Sequence, residues 1–366
     1  MPSQPVLSTL RLNRALLARQ LLLRRRRISA LEAVEHLVGI QSQSPRAAYV
    51  GLWTRVFGFR PEALERLMLE RSVVRVALMR STIHLVSARD CLALRELVQP
   101  AIGRSSRHSA ARRAAGVDDA ELARAGRALL EAAPRTFREL GTLLKDRWPA
   151  CDADALAMGA RETLPLVQIP PRGLWHRGGV PSHAAAETWL SGIDARQISM
   201  ADLVRRYLAA YGPASVLDAQ TFTGLTGLRE VFDGLRPELR TFRDEDGGEL
   251  FDVPGAPRPT GRGRAPARFL PEFDNILLSH ARRERILPEG TMSLLSLGNG
   301  LKPAFLVDGF VAGTWKLRTA RRSTTLDVKP FAPLPVAARR ELEEEGRRLL
   351  AFAARGAELK TVSLVK

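Results

Sequence analysis

Two glutamines in the segment GIQSQSP, residues 39–45, have the types and spacing to do chemistry together. Gly39 is predicted to end a helix, and Pro45 disfavours helical geometry at the residue before it, so the chain between them is expected to be extended. Side chains two residues apart on an extended chain face the same way, which would place the Gln41 and Gln43 amides side by side. Two neutral amides can position a water molecule and stabilise a developing positive charge. The alternative is that both glutamines bond backbone groups at a turn between helices.

A second candidate pair lies in LPEFDN, where Glu272 and Asp274 are two residues apart and could activate water. Such carboxylates more often form buried ion pairs or turn contacts, and we prefer that interpretation. Cys91, Cys151 and the six histidines lack the spacing of a metal site, and two distant cysteines do not predict a disulfide scaffold. We therefore expect no metal and no cofactor.

The charge of the chain points to a polyanionic partner. Lys and Arg together number 56 against 39 acidic residues, which gives a formal net charge of +17. Basic side chains that replace the counterions of a phosphate backbone favour nucleic acid. A GC-rich genome would also enrich Arg, but it would not explain the surplus of base over acid. The charge therefore predicts nucleic acid as the partner, and the helix-turn-helix repeats described below make double-stranded DNA the expected one.

Basic clusters at the ends of elements and in loops are the expected phosphate contacts, because such contacts position a protein on DNA without reading its sequence. Residues at the first predicted hairpin are added to them. For His84, a hydrogen-bonded hairpin residue is the stronger interpretation. The predicted DNA-binding residues are Arg80, Ser81, His84, Arg104, Arg107, Arg112, Arg113, Arg262, Arg264, Arg282 and Arg283.

The 366 residues are enough for two or three hydrophobic cores. No apolar stretch has the length of a membrane span, and the first twenty residues do not read as a secretory signal. A cytoplasmic, nucleoid-associated protein is expected. Nothing in the sequence demands a partner chain, so a monomer is expected.

A weak internal repeat of helices followed by a β-hairpin occurs about three times, in the order typical of a winged helix. In the first copy, Asn13, Ser29 and Ser44 are predicted helix caps, and the stretch VVRVALMRSTIHLV is the predicted wing. The fold class is α+β and mainly helical, with a C-terminal Asp308-Gly309 hairpin, a helix from about Val336 to Ala354 and a short final strand. The predicted domains are residues 1–115, 116–197 and 198–366.

The segments LVGIQSQSP, VALMRSTIHLVSARD, FLPEFDNILLSH and FLVDGFVAGTW resemble, in the same order, the AlkZ-like bacterial alkylpurine DNA glycosylases. The resemblance spans most of the chain. It implies three tandem winged-helix domains curved around DNA. It also implies a catalytic signature of a Gln, a usually aliphatic residue, and a second Gln or an Asp, which maps onto Gln41 and Gln43. Ser42 departs from that pattern at the middle position.

The resemblance implies hydrolysis of the N-glycosidic bond of purines alkylated at N7 or N3, in base-excision repair, with interstrand crosslinks as further substrates. No lysine lies near the glutamine pair in the sequence, so a monofunctional enzyme without strand cleavage is predicted. Two alternatives compete with it. One is a non-enzymatic winged-helix transcriptional regulator, and the other is an architectural protein that coats DNA.

Overall fold

Local capping signals set where several helices begin. In a computed structural model, which describes residues 4–103, 109–298, 300–320 and 322–365, Ser29 accepts a hydrogen bond from Glu32 N, and the Glu32 carboxylate accepts one from Ser29 N. Thr136 and Glu139 form the same box. The helices are α1 (Thr9–Arg19), α2 (Ala30–His36), α3 (Pro45–Trp53), α4 (Pro61–Leu69), α5 (Ala88–Leu97), α6 (Gln99–Gly103), α7 (Ser109–Ala114), α8 (Asp119–Ala132), α9 (Phe137–Leu144), α10 (Ala153–Thr163), α11 (Ala186–Trp189), α12 (Met200–Tyr211), α13 (Val216–Thr223), α14 (Arg229–Leu235), α15 (Thr291–Leu295) and α16 (Val336–Ala353).

Short strands connect these helices. They are β1 (Ile40–Gln41), β2 (Val73–Ala77), β3 (Ile83–Ser87), β4 (Arg135–Thr136), β5 (Leu166–Gln168), β6 (Ser182–Ala185), β7 (Arg240–Arg243), β8 (Glu249–Asp252), β9 (Arg268–Leu270), β10 (Ser296–Leu297), β11 (Gly300–Leu301), β12 (Ala304–Val307), β13 (Phe310–Ala320), β14 (Ser323–Pro330) and β15 (Leu359–Leu364). Within the described residues they form a six-stranded sheet, a five-stranded sheet and two hairpins. The fold is therefore a mixture of helix and sheet, as predicted.

One strand order recurs along the chain. β1 pairs with β3, which pairs with β2, and β4 pairs with β6, which pairs with β5. In the last copy a single bridge from Ala214 to Phe251 joins the chain to β8, which pairs with β7. β2 also pairs with β5, with Val76 opposite Val167, so the first two copies share one sheet. The order β1-β3-β2 is thus repeated in β4-β6-β5 and, in part, around β8 and β7.

The hydrophobic cores do not follow the predicted boundaries one by one. The largest cluster of buried side chains contains residues from all three predicted segments, among them Val76, Val167 and Tyr207. A second cluster joins the first segment to the C-terminal sheet and α16. A third lies between Val117 and Ala185, within the middle segment. The segments are therefore packed against each other through shared apolar surface.

The C-terminal sheet has the order β15-β14-β13-β12-β9. The predicted Asp308-Gly309 turn lies between β12 and β13, with φ of 48° and 84° at the two residues. The predicted final helix is α16, and the final strand β15 lies parallel to β14. The sequence did not indicate that β9, far upstream, would join the same sheet.

Two local predictions are wrong. Asn13 is not a helix cap, because α1 begins at Thr9 and is capped by Ser8. Asn13 is instead fully buried, and its amide donates to the main-chain oxygens of Arg285 and Gly309 over 2.7 and 2.8 Å. The second hairpin is expected from the sequence within LPLVQIPPRGLWHRGG, residues 164–179, but it ends later, because its second strand β6 begins at Ser182 after a long connection. None of the described helices is long and apolar enough to cross a bilayer.

Candidate active site

The first predicted glutamine is held on β1, at the edge of the six-stranded sheet. Gly39 has a φ of 88°, and a Cβ there would lie 2.7 Å from Val86 Cγ1, so glycine is needed for β1 to approach β3. The register places Gln41 opposite His84. The main-chain N–H of Gln41 also donates to Asn275 Oδ1 over 3.0 Å. Gln41 is thereby fixed by the sheet and by a residue far along the chain.

The Gln41 side chain is buried, with 2% exposure, and its orientation is set by a cation. Arg80 Nη2 donates to Gln41 Oε1 over 2.6 Å. Because a guanidinium only donates, the carboxamide atom that faces it must be the oxygen. A carbonyl oxygen has two lone pairs, so Oε1 keeps one acceptor position for another donor.

The second glutamine is exposed and is held by the same hairpin. Gln43 Oε1 accepts a hydrogen bond from Ile83 N over 3.1 Å. Between the two glutamines, Ser42 is buried, its N–H donates to Ile83 O over 2.8 Å, and its carbonyl accepts from Arg75 Nη2 over 2.7 Å. Both amide oxygens therefore accept from the β2–β3 hairpin. The backbone contact that was the alternative to chemistry is present at Gln43, and it leaves the second lone pair of Oε1 available.

Asn275 was missed as a site residue by sequence reasoning. Its Nδ2 donates to Gly39 O and to the Tyr211 hydroxyl, both over 2.9 Å, while its Oδ1 accepts from Gln41 N. The neighbouring Asp274 forms a buried ion pair with Arg55, with oxygen–nitrogen distances of 2.7 and 2.8 Å. The LPEFDN segment thus anchors β1, and the ion-pair interpretation of Asp274 is correct. The sequence signal for this anchor was a pair of adjacent polar residues, Asp274 and Asn275, followed by an apolar run.

The predicted first wing is turned into the protein. Arg80 and Ser81 are partly buried, and Ser81 accepts hydrogen bonds from Arg161 of α10. His84 is fully buried, so it cannot contact DNA in this conformation. Its Nδ1 donates to Thr82 O over 3.0 Å, as expected for a hydrogen-bonded hairpin residue.

The electrostatics of this hairpin follow from burial. Burial, with the nearby Arg80 as a second cause, lowers the pKa of His84 to about 3, so the imidazole is neutral at pH 7. Burial also lowers the pKa of Arg80 to about 10, and Arg283 adds to the effect, so Arg80 keeps its charge at pH 7. The hairpin therefore presents a cation, and no proton donor of suitable pKa, to the Gln41 amide.

The remaining predicted DNA-binding arginines differ in how exposed they are and in whether they already have partners. Arg112 is buried between Glu162 and Asp119 and is not available to a phosphate in this conformation. Arg113 and Arg262 are exposed and have no ion-pair partner among the described residues. The others are engaged or outside the described residues: Arg264 lies 3.5 Å from Glu341, Arg282 pairs with Asp244 and Asp246, Arg283 is partly buried, and Arg104 and Arg107 lie outside the described residues.

Comparisons with a protein family and with solved structures show which known proteins this chain resembles. The model of the family "DNA glycosylase AlkZ-like" matches residues 34–352. Among solved structures, the chain is similar to the Streptomyces sahachiroi DNA glycosylase AlkZ, with a TM-score of 0.79 and 22% sequence identity over 98% of this chain and 100% of that one. No curated protein sequence matched. The family match covers most of the chain, including both glutamines and the hairpin that holds them, and this chain therefore belongs to the AlkZ-like family of DNA glycosylases, enzymes of DNA repair.

Proposed function

We propose that this glycosylase is monofunctional and hydrolyses the N-glycosidic bond of purines alkylated at N7 or N3. Such a base carries a positive charge and is already a good leaving group, so strong general acid catalysis is not required. The bond breaks with its electron pair on the purine, and the sugar passes through an oxocarbenium-like state. An enzyme for this reaction mainly needs to position water and stabilise the sugar cation.

The observation that carries the proposal is the fixed orientation of two neutral amides around one turn. Gln41 Oε1 is held by Arg80, and Gln43 Oε1 is held by Ile83 N. Each oxygen retains a lone pair with which it can accept from a water molecule. That water would add to C1′ as the base leaves, and its proton would pass to solvent. Gln41 and Gln43 are therefore the proposed catalytic residues. Because Gln41 is buried, its access to the substrate requires the surface over it to open when DNA binds.

The position of the site bears on substrate size. β1 is an edge strand, and Gln43 is exposed. A site at an edge leaves room for a bulky adduct and does not require the base to enter a deep pocket. We extend the proposal to purines joined in interstrand crosslinks, since a crosslinked base cannot leave the stack freely.

The same proposal covers DNA binding and domain organisation. It includes three tandem winged-helix modules, residues 1–115, 116–197 and 198–366, curved around double-stranded DNA in a monomeric, nucleoid-associated protein. The recurring strand order supports the repetition of the modules. Exposed arginines such as Arg113, Arg262 and Arg264 would contact phosphates, and Arg282 and Arg283 would do so after exchanging their present contacts.

The absence of a lysine near the glutamine pair in the sequence supports a monofunctional reaction. The first 144 residues, which include both glutamines, contain no lysine. A bifunctional glycosylase needs an amine to form a Schiff base with the sugar. Borohydride should therefore trap no adduct between the protein and a substrate duplex, and a trapped adduct would show that the reaction is bifunctional.

The decisive experiment is release of N7-methylguanine from duplex DNA, scored as alkali-labile abasic sites. We expect Gln41→Ala and Gln43→Ala each to lower the rate by about 10- to 1000-fold, with DNA affinity retained. Gln197→Ala, which removes an exposed glutamine without a bonded partner among the described residues, is the matched control. Sequence-specific binding without base release from methylated or crosslinked DNA would contradict the proposal and favour a regulator.

A further inference from the structure

The tip of the β2–β3 hairpin has a backbone conformation that its residues disfavour. Arg80 and Ser81 are consecutive left-handed residues, with φ of 56° and 58°, and Thr82 N donates to Met79 O across them over 3.2 Å. Two positive φ values in a row are typical of a type I′ turn, in which Asn-Gly is the preferred pair. Residues other than the preferred pair adopt this conformation only where the surrounding structure holds them. Such backbone strain is concentrated at functional sites.

Elements from two other parts of the chain fix this turn. Arg161 Nη2 in α10 donates to Ser81 O over 2.6 Å, and its Nη1 donates to Ser81 Oγ over 3.3 Å. At the end of α13, Arg80 Nη1 donates to Phe222 O. Gly224 lies so close that a Cβ there would be 3.2 Å from Arg80 Cα. The turn is therefore held by α10 and α13 as well as by its own strands.

The contacts of Arg80 are unusual for a partly buried cation. Its two hydrogen bonds go to neutral oxygens, Phe222 O and Gln41 Oε1, and among the described residues no carboxylate lies within ion-pair distance. Removing a cation from water without a carboxylate partner costs desolvation free energy. Such a residue is therefore a candidate for a functional role. The bond to Gln41, at 2.6 Å, is a short charge-assisted one.

We propose that Arg80 is a positioning residue for Gln41 and not a DNA contact. The strained turn aims the guanidinium, and the guanidinium fixes the rotation of the Gln41 carboxamide, so that its free lone pair and its Nε2 each point in one direction. The role of Arg80 in base release rests on the proposed function, in which Gln41 acts on the substrate. The Gln41 amide is thus aligned by contacts from α10 and α13 that act through the turn.

Single-turnover base release and DNA affinity test the kinetic side of this inference. We expect Arg80→Met to lower the rate constant at saturating enzyme by about 10- to 100-fold, the cost of a misplaced catalytic group, while the Kd for DNA changes less than about twofold. Arg80→Lys keeps a cation and should restore part of the rate. In a Gln41→Ala background, Arg80→Met should lower the rate constant by less than about a further twofold. In a Gln43→Ala background, the losses from the two substitutions should multiply.

The opposite pattern would overturn the inference. A phosphate contact predicts that Arg80→Met raises the Kd and reduces the salt dependence of binding by about one counterion, with the saturated rate unchanged. A full effect in the Gln41→Ala background would also contradict it. Circular dichroism checks that each variant is folded. If Arg80→Met does not fold, Arg80→Lys provides the same comparisons with smaller effects in the same direction, because a lysine keeps the charge but cannot make both bonds of the guanidinium.

A measurement without activity separates this inference from the proposed function. The side-chain NH2 resonances of Gln41, identified by their loss in Gln41→Ala, should shift in Arg80→Met, whereas those of the exposed Gln197 should not. If wild type releases no base but the Gln41 resonances respond, the proposed function fails and the positioning contact remains. If the Gln41 resonances do not change, the positioning role is wrong whatever the activity.

Discussion

The main-chain carbonyl of Ser42 accepts a 2.7 Å hydrogen bond from Nη2 of the buried Arg75. The residue between the two glutamines is thus held by its backbone. Its side chain contributes little, because Ser42 Oγ makes one long bond, 3.4 Å, to Ser44 O. This explains how a serine can occupy the position between the two glutamines, where the resemblance implies a usually aliphatic residue.

We accordingly expect Ser42→Ala to change the free energy of unfolding by less than about 1 kcal/mol and base release by less than about threefold. Arg75→Met is the contrasting variant. It leaves the buried Ser42 carbonyl without its donor and should cost about 1 to 3 kcal/mol. Denaturant unfolding and methylguanine release check both. A tenfold loss of activity in Ser42→Ala would mean that the hydroxyl takes part in the reaction.

Adjacent arginines on α7 should behave differently. Arg113 is exposed, and we expect Arg113→Met to weaken DNA binding and to lower the salt slope of log K by about 1, with stability unchanged. Arg112 lies 2.9 Å from the buried Glu162. Arg112→Met leaves that carboxylate buried without its charge partner and should cost about 3 to 5 kcal/mol of stability. The salt slope of DNA binding should not change.

Fluorescence anisotropy across salt concentrations and urea unfolding measure the two effects, and each variant is the control for the other. Equal loss of DNA affinity in both variants, at matched stability, would show that burial does not decide which arginine meets DNA.

Buried histidines should make the fold acid-sensitive. Burial is the main cause that lowers the pKa of His84 to about 3 and of His183 to about 4. The unfolded chain, with histidine pKa values near 6.5, therefore takes up protons that the folded chain does not. Stability is complete above about pH 6.5 and falls as the pH is lowered towards the folded values.

Between pH 7.5 and 5.5 each such histidine should lower the free energy of unfolding by about 1.4 kcal/mol. The loss over this interval should shrink by that amount in His84→Gln and in His183→Gln. Urea unfolding at the two pH values measures it. An unchanged pH dependence in both variants would mean that these imidazoles are protonated in the folded chain.

Two hairpin glycines with similar φ values should differ in their tolerance of alanine. Gly309 has a φ of 84°, and a Cβ there would lie 2.5 Å from Asn13 Oδ1 and 2.6 Å from Leu17 Cδ1. Gly247 has a φ of 82°, but a Cβ there would meet nothing within 4 Å. We expect Gly309→Ala to cost about 2 to 5 kcal/mol, and Gly247→Ala about 1 to 2 kcal/mol from backbone strain alone. Thermal and urea unfolding test this, and equal losses would exclude the packing of α1 against the turn as the cause.

Local signals in the sequence determined much of the secondary structure. The boxes at Ser29 and Thr136 and the turn at Asp308-Gly309 depend on neighbours within four residues, so their patterns are readable without a fold. The glutamine pair could be singled out in the same way, because an N-terminal glycine and a C-terminal proline limit the conformation between them.

Tertiary structure decided how those parts are used. Whether Arg80 meets a phosphate or Gln41, whether Asn13 caps α1 or ties it to Gly309, and which of Arg112 and Arg113 is buried all depend on contacts between residues far apart in the chain. The same holds for the sheet shared through β2 and β5. Periodicity and capping describe only the energy of a segment with its neighbours. Side-chain partners and exposure are set by packing between segments, which no local pattern encodes.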